Sequence, residues 1–177
     1  MKFTPTRIDG VWVVEMERQH DERGWFARTW CLEEFRLRGL EARLDQCSSS
    51  FNLRRGTLRG MHYQVAPYEE AKVVRCTRGA VFDVALDLRR DSDTFCDWFG
   101  LELTAENGLG LYIPNGCAHG FQTLEDNTEI FYSNTEAYRP DSGRAVRWDD
   151  PRFSIAWPLP NQAILSPRDA ACPDFTS

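Results

Sequence analysis

Long apolar runs are missing from this chain of 177 residues, and nothing in it reaches the length needed to cross a bilayer. The opening MKFTPTRIDG has no apolar core of a secretion signal, so the expectation is a soluble, cytoplasmic protein without a membrane partner. Basic blocks are also missing: 21 Lys and Arg stand against 27 Asp and Glu, a net charge of -6 that argues against nucleic acid. A phosphate-bearing small molecule stays open, because a few local arginines suffice to bind one. The six cysteines, Cys31, Cys47, Cys76, Cys96, Cys117 and Cys172, form no CxxC pair, which predicts reduced and mostly buried thiols. Histidine is scarce, with only His20, His62 and His119. Helical spacing is scarcer still: only LEEFRLRGL (32–40) sets Leu32, Phe35 and Leu40 on one side, with Gly39 as a stop.

What remains is β-patterned. VWVVEMER (11–18), KVVRCTRGAVFDVALDLRR (72–90), WFGLELT (98–104), GLYIPN (110–115) and EIFYSNT (129–135) are rich in β-branched and aromatic residues and are punctuated by Gly, Pro or Asn. Without repeats or long linkers, they predict an all-β sandwich or barrel in one domain over residues 1–177. A C-terminal extension from about residue 161 is expected to wrap over the core. Within VFDVALDL, alternation places Phe82, Val84, Leu86 and Leu88 on a core face. Asp83 and Asp87 then fall on a face that meets water or a polar cavity.

GLGLYIPNGCAH (108–119) has the spacing G-x5-P-x-G-x2-H, which resembles the second motif of cupin barrels. GTLRGMHYQ (56–64), followed by Glu69 or Glu70, would be the first motif. Metal-binding cupins place a second histidine where this chain has Gln64, a poor ligand for a transition metal. One reading is therefore a metal-dependent oxygenase or isomerase built on His62, Gln64, Glu69 and His119. Another is a non-catalytic sugar-binding cupin. Taken singly, His62 could be a satisfied strand histidine, Lys72 a strand-edge charge, Tyr132 a core aromatic and Asp169 a surface acid.

Further motifs occur in order with these: DERGWF (21–26), GAVFDVALDLR (79–89), IPNGCAHGFQTL (113–124), the segment from Tyr132 to Tyr138, WDDP (148–151), IAWP (155–158) and SPRD (166–169). Together, over about residues 3–169, the chain resembles the dTDP-4-dehydrorhamnose 3,5-epimerase family. The resemblance implies an all-β, cupin-like jelly roll with one or two short helices, a homodimer, and catalysis without metal or cofactor. It implies a nucleoside-diphospho-4-keto-6-deoxy sugar as substrate, inverted at carbon 3, carbon 5 or both. His62 matches the family's base, Tyr132 its acid, Lys72 the cation beside the ketone oxygen and Asp169 the carboxylate on the histidine. Arg59 and Arg168 match residues near the diphosphate, Tyr138 an aromatic on the nucleobase, and Asp83 and His119 positions near the sugar. A neutral His119 is expected to donate a hydrogen bond to the ketone or a hydroxyl.

Arg23 and Phe26 match positions that reach the site from the partner subunit. If Arg59 and His62 are to reach one ligand from the same strand, a bulge at Gly60 is expected. The departures concern recognition. Arg28 stands where the family usually has glutamate, and the run DSGRA with Gly143 replaces a second one. QCSSSFN keeps Gln46 but lacks or displaces the asparagine of the base-reading stretch, with Asn52 the nearest. Thymidine is the default base; cytidine and guanosine sugars, and epimerisation of one carbon only, remain alternatives.

Overall fold

The computed structural model describes residues 1–176. In chain order the strands are β1 (Lys2–Pro5), β2 (Trp12–Glu15), β3 (Gln19–Asp21), β4 (Gly24–Phe26), β5 (Gln46–Asn52), β6 (Leu58–Gln64), β7 (Lys72–Arg78), β8 (Ala80–Asp87), β9 (Trp98–Thr104), β10 (Gly110–Ile113), β11 (Cys117–Thr123), β12 (Thr128–Asn134) and β13 (Gly143–Ala145). The short helices are α1 (Leu32–Arg36) and α2 (Pro167–Ala170). One antiparallel sheet runs β1-β2-β10-β7-β12-β5, and the other β13-β6-β11-β8-β9. Val74, Ile130 and Leu111 of the first sheet pack against Val81, Ala85 and Phe121 of the second. This is a cupin-like jelly roll.

Burial corrects three expectations. Val81, Asp83, Ala85 and Asp87 are fully buried, and so are Val84 and Leu86 on the opposite face of β8. The Asp83 face is the sandwich interior, while the Val84 face is covered from outside by Val146, Phe153 and Trp157 of the chain's last third. Both faces are therefore buried, each large apolar side chain on them contributing about 1.5–3 kcal/mol, while Asp83 and Asp87 are held by polar partners. Helix 32–40 shortens to α1: Phe35 is buried, but Leu32 is exposed and the backbone turns at Gly39 with φ +71°. Of the six cysteines only Cys76 and Cys117 are buried; Cys47 is exposed and the rest are intermediate.

The C-terminal segment does wrap back, and it does so by backbone pairing. Leu58 N–H donates to Ile164 O and Ile164 N–H to Gly56 O, both at 2.9 Å, a parallel bridge at the start of β6. Both ends of the buried Gln122 amide clasp the main chain of Leu159 at 2.9 Å. Ser166 then caps α2, its Oγ accepting from the Asp169 N–H at 3.1 Å, with Pro167 in the first turn. These devices place Asp169 above β6.

The expected bulge is present. His119 pairs with His62 but Phe121 pairs with Arg59, so β6 spends one residue more than β11 over this span. Gly60 sits in it at φ +142°, and a Cβ there would lie 2.5 Å from the Gly120 Cα, so the two strands touch backbone to backbone.

Candidate active site

The bulge re-aims β6 so that Arg59 and His62 line one cleft of about 370 Å³, together with Thr57, Ser166, Arg168 and Asp169. His62 and Arg168 also border an adjoining lobe of about 280 Å³ with Gln64, Glu70, Tyr138 and Gly143. His62 Nε2 lies 2.7 Å from Asp169 Oδ1, across 107 positions of sequence. A carboxylate only accepts, so the neutral ring carries its proton on Nε2 and presents a lone pair at Nδ1. The His62 side chain is 42% exposed, while Asp169 is 5% exposed and no surface acid. Desolvation holds the His62 pKa below its ordinary value; Asp169 pulls it up, and the charges of His119 and Lys72 push it down.

Beside His62, His119 Nε2 donates to Asp83 Oδ1 at 2.7 Å, both side chains being almost fully buried. With Nε2 engaged by Asp83, the ring has only Nδ1 left to meet a ligand. The second oxygen of Asp83 has no hydrogen-bond partner among the described residues. Tyr132, on the facing sheet, meets His119 edge-on with ring centroids 6.0 Å apart. Burial pushes the Tyr132 phenol well above its ordinary pKa and Asp83 adds to this, opposed by Arg59 and Ser50. The phenol therefore stays protonated at neutral pH. Lys72 is no strand-edge charge: its ammonium is buried and lies 2.6 Å from Glu70 Oε1.

Gln64 is consumed by structure. Its amide donates to Tyr68 O (2.9 Å) and Ala137 O (3.3 Å) and accepts from the Arg139 N–H (2.6 Å). With Glu69 exposed, the four-residue metal set is not assembled, and no cluster of three potential ligands occurs among the described residues. Gln46 accepts from the Tyr138 N–H (3.1 Å) and donates to Ser48 (3.1 Å), which ties the tyrosine's segment to β5. Arg23, Phe26 and Arg28 are not brought to His62 within the chain. The first two lie on the exposed β3–β4 hairpin, where Arg23 pairs with Asp21; Arg28 pairs with Glu34 at 2.8 Å.

Two residues that the sequence offered in other roles, Glu70 as a first-motif acid and Asn52 as a displaced base-reading asparagine, instead hold Lys72 and Arg59. The second had a visible signal: in QCSSSFN the alternate residues Gln46, Ser48, Ser50 and Asn52 are the less exposed row of β5.

The dTDP-4-dehydrorhamnose 3,5-epimerase family model matches residues 5–177. The chain belongs to that family. It is 42% identical over 170 residues to the dTDP-4-dehydrorhamnose 3,5-epimerase of Methanothermobacter thermautotrophicus, covering 95% of this chain and 91% of the relative. The crystal structure of the Elizabethkingia anophelis enzyme of the same name superposes with a TM-score of 0.95 at 37% identity, covering 99% of this chain and 96% of that one. A Legionella pneumophila epimerase solved with dTDP-4-keto-L-rhamnose superposes at 0.91 with 35% identity, over 99% of each chain. Membership makes the protein an isomerase on a cupin-like jelly roll. Among its described residues no helix is long and apolar enough to cross a membrane.

Proposed function

We propose that the protein inverts carbons 3 and 5 of dTDP-4-keto-6-deoxyglucose, giving dTDP-4-dehydrorhamnose. The observation that carries this reading is the His62–Asp169 pair at 2.7 Å, set in the same cleft as Arg59 and Arg168. The 4-ketone acidifies the protons on its neighbouring carbons. His62 Nδ1 takes one of them, and Asp169 stabilises the imidazolium that results. The electron pair moves into an enolate whose oxygen charge is met by Lys72, which keeps N–H donors beyond the one given to Glu70. Tyr132 returns a proton to the opposite face of the same carbon, and solvent restores both groups. His119 accepts from a sugar hydroxyl, with Asp83 holding its ring. Arg59 and Arg168 bind the diphosphate, and Tyr138 and Gln46 border the base.

We further propose a homodimer in which the β3–β4 hairpin enters the other protomer's cleft with Arg23 and Phe26. The hairpin's exposure, and its absence from the lining of its own chain's cleft, support this. Arg28, just past β4, would meet the nucleotide from the same side.

The test is solvent deuterium incorporation. The wild-type protein should label carbons 3 and 5 of dTDP-4-keto-6-deoxyglucose, and His62→Ala should slow labelling by about 10²–10⁴-fold. Absence of exchange at both carbons with the wild-type protein would sink the reading.

A further inference from the structure

We propose that Asn52 is a positioning residue for the diphosphate, the neutral anchor that aims the Arg59 guanidinium into the cleft without cancelling its charge. This rests on the reading of the cleft as a nucleoside-diphosphate site. Asn52 closes β5 and is 2% exposed, so its amide must find partners inside the protein. Its Nδ2 donates to Thr128 O on β12 at 3.2 Å and to Ser50 O at 3.3 Å. Those two carbonyls use both amide hydrogens and decide which end of the side chain is oxygen. Oδ1 is thereby turned toward β6, where it accepts from Arg59 Nε at 2.8 Å.

Nε is the donor on the stem side of the guanidinium fork. Anchoring it there leaves the two terminal nitrogens, with four N–H groups, for phosphate oxygens. The neutrality of the anchor matters as much as its place. Arg23, Arg28, Arg43, Arg89 and Arg147 each lie against a carboxylate that cancels their charge. Arg59 has instead an amide, and among the described residues it forms no ion pair. The guanidinium thus keeps its full charge and enters binding already ordered, with less freedom to lose.

Calorimetry on the full chain decides the matter, with dTDP and with thymidine, which has no phosphate. Asn52→Ala should weaken dTDP binding about tenfold, the scale of one hydrogen bond to a charged group, and leave thymidine unchanged. It should raise KM and spare kcat. In an Arg59→Ala background the same substitution should add nothing. Asn52→Asp keeps the size and the acceptor, so it serves if the alanine variant does not fold, and it should weaken dTDP at least as much by pairing the charge. Equal loss for thymidine, additive losses in the double variant, or undiminished dTDP affinity would each overturn the inference. A wild-type protein that binds dTDP but ignores residue 52 overturns this inference alone; one that binds no dTDP overturns the site reading with it.

Discussion

At His62 the partner decides the chemistry. Asp169 accepts the hydrogen bond from Nε2–H, so Nδ1 is the ring's free basic atom, and desolvation keeps the ring's pKa below the ordinary 6.5. The sign of the pH dependence follows. A base whose conjugate acid is destabilised is already free at neutral pH, and loses activity only as pH falls through a value below 6.5. The pH profile of kcat/KM for deuterium exchange should be flat from pH 8 to about 7, with its acid limb below 6.5; a limb above that value would contradict the assignment. Asp169→Asn removes an influence that raises the pKa, so the limb should move further down. The plateau should drop at least about tenfold as the imidazolium loses a charge-assisted bond.

Among the elements, β6 carries the most, because its bulge turns a regular strand into one that points Arg59 and His62 at the same cleft. Gly60→Ala would place a methyl against the backbone of β11 at a φ that L residues rarely adopt. It should cost about 2 kcal/mol or more, a fall of roughly 4–8 °C in Tm for a chain of this size. Diphosphate affinity and exchange rate should both drop, since the two side chains lose their common aim. An unchanged Tm would show that the strands part freely. The bulge was legible in the sequence because two functional side chains an odd number of residues apart had to share a ligand. Motif order pointed to His62, Lys72, Tyr132 and Asp169 together, and the contact it implied between His62 and Asp169 is present at 2.7 Å. Alternation left β8 open, with Asp83 and Asp87 facing water or a polar cavity; burial excludes water, because the strand is covered on both sides, and Asp83 meets polar His119 inside. The partner of His119 was out of reach for the same kind of reason: it is Asp83 on the neighbouring strand, 36 positions away.

The whole molecule leaves its β3–β4 hairpin outside the cleft it is proposed to serve, and exchange between protomers makes that arrangement testable. Arg23→Ala and His62→Ala should each be nearly inactive alone. Mixed under conditions that let subunits exchange, they should recover up to about a quarter of wild-type activity, because half the dimers then hold one intact site of two. A mixture as inactive as its parts would place Arg23 elsewhere. The other long-range feature is the docking of residues 159–164 onto Gly56, Leu58 and Gln122, which brings Asp169 to His62. Its consequence reaches back to the gene. A polypeptide ending between the two residues would bear the proposed base but never its carboxylate, so full activity at this site would require the chain to be made through Asp169.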